Sequence, residues 1–281
     1  MSQVPTSINS LPEQAILADR MRRFGGIARL YGDAGLQRLQ ASHVCVIGVG
    51  GVGSWLAEAL ARSGVGSLSL IDMDHVAVSN INRQIHADDS TLGMAKIEAM
   101  RRRLALINPQ LAVQVVDDFV TVENAAMLLD GGYDFVIDCA DNARVKAEIV
   151  ARCRRSRRRV ITVGGAGGRI DPSRIRIADL SRTEHDPLLA RVRRILRTSY
   201  GLSSNPSRRF DVPCVYSSEQ VTYATESGET SREESAARSS AGLSCAGGLG
   251  SVTHVTASFA FHAAGYVLER IADGRASRDK T

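Results

Sequence analysis

The sequence predicts an α/β fold with a doubly wound, mostly parallel sheet, and three observations predict it. Short apolar runs alternate with stretches of helical period along the first two thirds of the chain. The clearest run, Val44 to Gly48 (VCVIG), leads straight into Gly48-Val49-Gly50-Gly51-Val52-Gly53 and then into a helical stretch. Acidic and amide residues collect just after the second and fourth apolar runs, at the carboxyl ends of strands, where open parallel sheets bind ligands. Together these make the sheet Rossmann-like, with an N-terminal helical segment and a C-terminal extension.

Residues 1–40 are the N-terminal helical segment, with Arg20 to Leu39 helical and interrupted at Gly25-Gly26. Residues 41–180 are the Rossmann-like core, which the motifs below make the ATP-binding part. Val44 to Gly48 is continuously apolar, as a strand buried on both faces should be. Ser54 to Ser63 has helical period, and Ser67 to Asp72 is the second strand. Thr91 to Ile107 is a long helix stopped by Asn108-Pro109. Leu111 to Val116 is a strand, Val122 to Leu129 a short helix, Tyr133 to Cys139 a strand, and Arg144 to Arg155 a helix. Val160 to Val163 ends in Gly164-Gly165-Ala166-Gly167-Gly168, and Ile175 to Ile177 is a sixth strand. Residues 181–281 are the extension. It holds a basic stretch with a helix from Pro187 to Leu196, a strand at Val212 to Tyr216, a mobile Ser-, Glu- and Arg-rich loop at 226–241, and an apolar helix.

Composition excludes several classes. Of the 281 residues, 44% are hydrophobic and 23% charged, which rules out general disorder. Lys+Arg is 35 against Asp+Glu 30, so a polyanionic partner is permitted but not demanded. Only Lys96, Lys146 and Lys280 are lysines, so each is worth weighing, while arginine clusters are discounted. The cysteines are Cys45, Cys139, Cys153, Cys214 and Cys245, with no C-x-x-C pair, which argues against a disulfide scaffold and against zinc. No basic start followed by an apolar run is visible, so a cytoplasmic location is expected. Ala241 to Leu268 lacks charged residues but is rich in Gly, Ser and Thr, and reads as a loop entering a buried helix rather than a membrane span.

The turn at Gly48, Gly50, Gly51 and Gly53 suits a nucleotide phosphate, because a tight turn, close backbone approach and helix packing all need glycine. Asp72 ends the second strand, where a ribose hydroxyl would be held. Asp74, Asn80, Asn82, Arg83, Gln84 and Lys96 follow it, and Asp141 and Asn142 follow the fourth strand. Arg83 and Lys96 are cations suited to a triphosphate, whereas a dinucleotide's pyrophosphate needs mostly backbone. Asp141 is a carboxylate placed for Mg²⁺.

GVGGVG, IDMD…SNINRQ, Lys96 and DCADN resemble the ubiquitin-activating-enzyme-like adenylating family, whose simplest bacterial members activate the C-terminus of sulfur-carrier proteins. The resemblance spans roughly residues 20 to 180. It implies that Asp72 holds ribose, Arg83 and Lys96 hold phosphates, and Asp141 holds Mg²⁺. Two features depart from it. The zinc-binding cysteine pairs are missing, and the usual arginine that reaches the partner subunit's ATP is replaced by glycine, with Arg23 or Arg29 as substitutes.

RFGGIARLYG, NRQIHA, GGAGGRIDP and the Ser244-to-Gly250 run resemble a narrower group, the tRNA threonylcarbamoyladenosine dehydratases, over nearly the whole chain. That resemblance implies ATP-dependent activation of the threonyl carboxylate beside the tRNA anticodon, followed by intramolecular ring closure. It also implies tRNA as partner, a homodimer and a sulfur-relay protein as a further partner. Cys245 is a candidate nucleophile. Its alternative is a small buried residue with ring closure direct from the adenylate, and direct closure is favoured because intramolecular attack has an effective molarity on the order of 10⁵ M. His86 is a candidate proton acceptor, with a structural role preferred. For tRNA, the Arg152–Arg159 run is expected opposite the ATP site, and Arg191, Arg193, Arg194, Arg197, Arg208 and Arg209 on the active side. The alternatives are adenylation of a ubiquitin-like or sulfur-carrier protein, disfavoured by the missing cysteines, and a non-catalytic NAD module, which leaves Arg83 and Lys96 without a task.

Overall fold

The computed structural model describes residues 13–225, 227–233 and 249–274. A seven-stranded sheet runs in the order β3-β2-β1-β4-β5-β7-β6. Its strands are β1 (His43–Ile47), β2 (Ser67–Ile71), β3 (Ala112–Val116), β4 (Phe135–Asp138), β5 (Val160–Val163), β6 (Ile175–Asp179) and β7 (Pro213–Ser217). All neighbours are parallel except β6 and β7. β7 inserts between β5 and β6, so the segment after residue 180 completes the sheet. The helices are α1 (Glu13–Ala41), α2 (Gly53–Arg62), α3 (Lys96–Ile107), α4 (Ala125–Leu128), α5 (Ala143–Arg155), α6 (Pro187–Ser199) and α7 (Thr253–Ala272). Within the stretch expected to be a mobile loop, β9 (Thr230–Ser231) pairs with β8 (Tyr223–Ala224), while 226 and 234–241 lie outside the described residues.

Alternation of side chains along each strand makes two cores. Val44 and Val46 of β1 pack with α1, α2, α3 and α7, while Cys45 and Ile47 pack with α4, α5 and α6. The apolar helix α7 buries Val255, Phe259, Ala263 and Val267 in the first core. Among the described residues no helix is long and apolar enough to cross a membrane.

Two boundaries differ from expectation. α1 continues through Gly25-Gly26 and kinks at Gly32, whose φ of +73° only glycine adopts without strain. A glycine inside a helix costs only about 1 kcal/mol, which packing of the flanking turns offsets. α3 begins at Lys96 rather than Thr91, because residues 91–95 form turns and Ala95 bridges to His75.

Candidate active site

β1 delivers the chain into the glycine turn at the carboxyl edge of the sheet. Gly48 has φ +83° and donates its N–H to the Ile71 carbonyl (2.9 Å). A Cβ on Gly48 would stand 3.0 Å from the Cys139 carbonyl oxygen, and one on Gly53 only 1.8 Å from the Gly48 carbonyl oxygen. The first contact lets β1 and β4 end side by side; the second starts α2 directly against the turn. At Gly50 a Cβ would meet only Gln84 Nε2, 3.9 Å away. α2 then begins with no side-chain cap and no acidic residue in its first turn, so its N-terminal dipole is not neutralised from within.

The end of β2 braces this turn. Asp72 is buried and accepts the N–H of Val49 (2.6 Å) and of Asp74 (2.9 Å), one on each carboxylate oxygen. Burial pushes its pKa up, opposed first by the Lys96 charge. Each oxygen keeps a lone pair for a ribose hydroxyl. Lys96 is buried, its N–H donates to the Asp74 carbonyl (2.9 Å), and its ammonium pairs with the Asp74 carboxylate (2.6 Å). Two further ammonium protons stay available to phosphate oxygens.

Arg83 sits over the glycines, with its Cγ and Cδ each 3.5 Å from where a Gly51 Cβ would be. Its guanidinium bonds the Ser79 carbonyl and Asn82 Oδ1. Its own carbonyl accepts from Trp55 Nε1 (3.0 Å) and Thr256 Oγ1 (3.3 Å). Asn80 is buried and accepts the Ala77 N–H, so it shapes the loop. Asn82 donates to the Ser251 carbonyl (2.8 Å) and ties the loop to the start of α7. Gln84 is buried, and its Oε1 has no hydrogen-bond partner among the described residues. That orphaned acceptor beside Gly50 suits a donor on a nucleotide.

The turn after β4 carries Asp141, exposed and without hydrogen bond or ion pair among the described residues. Asn142 is the N-cap of α5 and accepts the N–H of Arg144 and Val145. Beneath them lies a buried pair that the sequence did not announce. Lys146 and Asp138 are fully buried and 3.0 Å apart, and Lys146 also donates to the carbonyls of Asp138 (3.2 Å) and Ala140 (2.9 Å). Thr162 donates to the same Asp138 carboxylate (2.6 Å). Each polar group here is satisfied, so the network fixes the turn that presents Asp141.

Residues 25–263 match the ThiF family. The chain belongs to the ThiF family. A ThiF-family relative from Haemophilus influenzae, tRNA threonylcarbamoyladenosine dehydratase, is 49% identical over 89% of this chain and 93% of its own length. The Escherichia coli protein of that name is 46% identical over 91% of this chain and 96% of its own length. The solved structure of TcdA (CsdL) superposes with a TM-score of 0.83 at 44% identity, covering 92% of this chain and 97% of that one. The Escherichia coli enzyme, TcdA, in complex with ATP superposes with a TM-score of 0.79 at 43% identity, over 90% of this chain and 95% of that one.

In this ThiF-family chain the start of α7 joins two loops of the site. Thr253 Oγ1 donates to the Asn82 carbonyl (2.6 Å), and the Gly250 carbonyl accepts the Gly168 N–H (2.7 Å) from the glycine run after β5. That run leads to Arg169, which sequence reasoning passed over although it ends the GGAGGR segment. Arg169 is buried and donates to the His185 carbonyl, yet its Nε and Nη1 have no hydrogen-bond partner among the described residues. Burial lowers its pKa, and the charges of Asp186 and Glu219 oppose the shift. Cys245 lies outside the described residues. His86 is buried and its pKa is pushed down to about 4, mainly by burial, so at neutral pH it is an uncharged and weakly basic ring.

The arginines sort by their partners. Arg23 is tied to Asp19 (2.7 Å) and to the Ile107 carbonyl (3.1 Å) of its own chain, while Arg29 is exposed and has no ion pair or hydrogen bond from its guanidinium among the described residues. Arg193 donates to Thr183, and Arg197 lies over the Phe210 ring at 5.4 Å. Arg208 and Arg209 correct the expectation. α6 starts beside Gly165, whose N–H donates to Asp186 (2.8 Å), and ends where Tyr200 meets Glu148 of α5. The helix therefore carries the chain away from the edge that bears the glycine turn, and Arg208 and Arg209 share a cavity with Arg154 and Arg155 at the opposite end.

Proposed function

We propose that this chain is an ATP-dependent tRNA threonylcarbamoyladenosine dehydratase, as its relatives from Haemophilus influenzae and Escherichia coli are named. The observation that carries the reading is Arg83 held across the bare glycine turn, with Lys96 fixed at the start of the next helix. A dinucleotide site has no need of two such cations. The triphosphate lies on the turn, Asp72 takes the ribose, and Gln84 offers its unpaired carbonyl. Magnesium fits Asp141: a single unpaired carboxylate with phosphate oxygens and water gives the all-oxygen shell that ion prefers. No group of three His, Cys, Asp or Glu among the described residues forms a cage of its own. When bound, the ion neutralises phosphate charge.

The threonyl carboxylate oxygen attacks the α-phosphorus and pyrophosphate leaves, giving an acyl-adenylate. The ureido oxygen of the same substituent then attacks the acyl carbon, the acyl–oxygen bond breaks, AMP departs with that oxygen, and the ureido nitrogen releases its proton. Arg83 and Lys96 stabilise the negative charge that shifts during the first step. Holding both reactants in one substituent supplies the advantage of the second. We place the enzyme in the cytoplasm as a homodimer, with Arg29 as the arginine free to reach a partner subunit, and with a sulfur-relay protein as a further partner. Incubation of tRNA with protein and ATP, followed by nucleoside analysis, tests the reading: the cyclic nucleoside is expected, and its absence refutes it. The same assay separates it from activation of a carrier protein's C-terminus, which leaves tRNA unchanged.

A further inference from the structure

The ATP site uses one end of the sheet. At the other end α5 and the segment after α6 enclose a cavity of about 500 Å³, lined by Arg154, Arg155, Arg208 and Arg209 together with Tyr200 and Ser203. All four guanidiniums are exposed, and none makes a hydrogen bond or ion pair among the described residues. Their neighbours on the same elements are engaged: Arg152 pairs with Glu148 (2.8 Å), and Arg158 donates to the Tyr133 carbonyl (3.2 Å). The acid beside the cavity is spent, because Glu148 gives one oxygen to Arg152 and the other to Tyr200 (2.6 Å). Four like charges therefore face one concavity with no ion-pair partner among the described residues.

The end of a helix favours cations, which accounts for Arg154 and Arg155 in the last turn of α5. Nothing of the kind accounts for Arg208 and Arg209, which stand on an irregular loop. That loop is built: Asn205 accepts the N–H of Ser207 (2.8 Å), and its carbonyl accepts that of Arg208 (3.1 Å). Guanidiniums are suited to phosphate oxygens, which they bind through paired N–H donors.

We propose that this cavity is a second RNA contact, seating consecutive backbone phosphates of the tRNA at the end of the sheet away from the reacting nucleoside. The proposal rests on the reading that tRNA is the substrate. Strands of four or five residues span only about 13–17 Å, a rise over which an RNA or DNA duplex carries roughly eight to ten phosphates, so one folded RNA can touch both ends.

The test is binding of unmodified tRNA to the full-length protein over a salt series. The variant replaces Arg154, Arg155, Arg208 and Arg209 with Gln; Arg101 and Arg102 replaced with Gln serve as a control, because both are paired to Glu98 outside the cavity. The cavity variant is expected to bind tRNA about tenfold or more weakly at low salt, and the slope of log affinity against log salt should fall by about 3 to 4. ATP affinity should not change, which reports an intact fold and nucleotide site. The four-Lys variant should regain most of the slope. An unchanged slope in the Gln variant overturns the proposal, as does a slope lost equally in the control. So does pyrophosphate binding that is lost in the Gln variant yet does not displace tRNA from the wild type, since the site then belongs to a small anion. Loss of nucleoside conversion in wild-type protein refutes the dehydratase reading instead, and the salt slope still judges the cavity.

Discussion

Gly50 and Gly53 stand three residues apart in one turn, and the structure assigns them opposite outcomes on adding a methyl group. At Gly53 the new Cβ would lie 1.8 Å from a backbone oxygen of Gly48. No side chain can yield there, so Gly53→Ala must move α2 off β1, with a loss of several kcal/mol. At Gly50 the nearest atom is the end of Gln84, 3.9 Å away, and the φ is not in the left-handed region. Gly50→Ala should therefore be neutral or stabilising by about 0.4–1 kcal/mol through the unfolded chain, a rise in Tm of about 1–4 °C. The methyl would nevertheless stand where a phosphate approaches the backbone. Losing one charge-assisted hydrogen bond of about 1.5–3 kcal/mol weakens ATP binding by roughly 10- to 100-fold. Calorimetric ATP titration beside thermal unfolding reads both quantities. A Gly50→Ala protein that binds ATP as tightly as wild type would refute the placement of the triphosphate on this turn.

Replacing Arg83 or Lys96 singly with Ala should lower turnover by on the order of 10²-fold, read by tRNA nucleoside analysis, and near-normal conversion in both would remove them from the mechanism. Asp141→Asn should reduce activity and recover part of it at high Mg²⁺; full activity at limiting Mg²⁺ would contradict the assignment. Lys146→Met leaves the Asp138 carboxylate buried and unpaired, so unfolding stability should fall by about 3–5 kcal/mol, and an unchanged Tm would count against the network. Cys245→Ala should keep product formation within about tenfold if ring closure is direct, because the neighbouring group already has the entropic advantage; loss of product with retained pyrophosphate exchange would make the thiol obligatory.

The strands and the nucleotide turn were legible because their signals are local. β1, β4 and β5 are buried on both faces, β1 reads as a continuous apolar run from Val44 to Ile47, and the glycines report contacts between adjacent segments. The start of α3 was not legible, since the bridge from Ala95 to His75 joins residues twenty apart and has no periodic signature. The burial of Lys146 and Arg169 had no local signal, because their partners, Asp138 in one case and the His185 carbonyl in the other, come from other elements. Placing Arg208 and Arg209 depended on the direction of α6, which follows from packing and not from the order of residues.

The stitching of α7 to the Arg83 loop has a consequence for biosynthesis. Asn82 and Arg83 are held by Ser251, Thr253 and Thr256, partners separated from them by 169 to 173 residues. At about 5–20 residues per second a ribosome needs roughly 10–30 s to make the intervening chain. During that interval β1 and β2 can pair and bury their apolar faces, but the loop that bears Arg83 lacks the carbonyl and hydroxyl groups that hold it. The nascent chain thus carries Lys96 already paired with Asp74, while the Arg83 loop has only its local contacts and Trp55 until nearly the last helix emerges. A product ended just before residue 250 would keep all seven strands of the sheet but lack the groups at the start of α7 that hold Asn82 and Arg83.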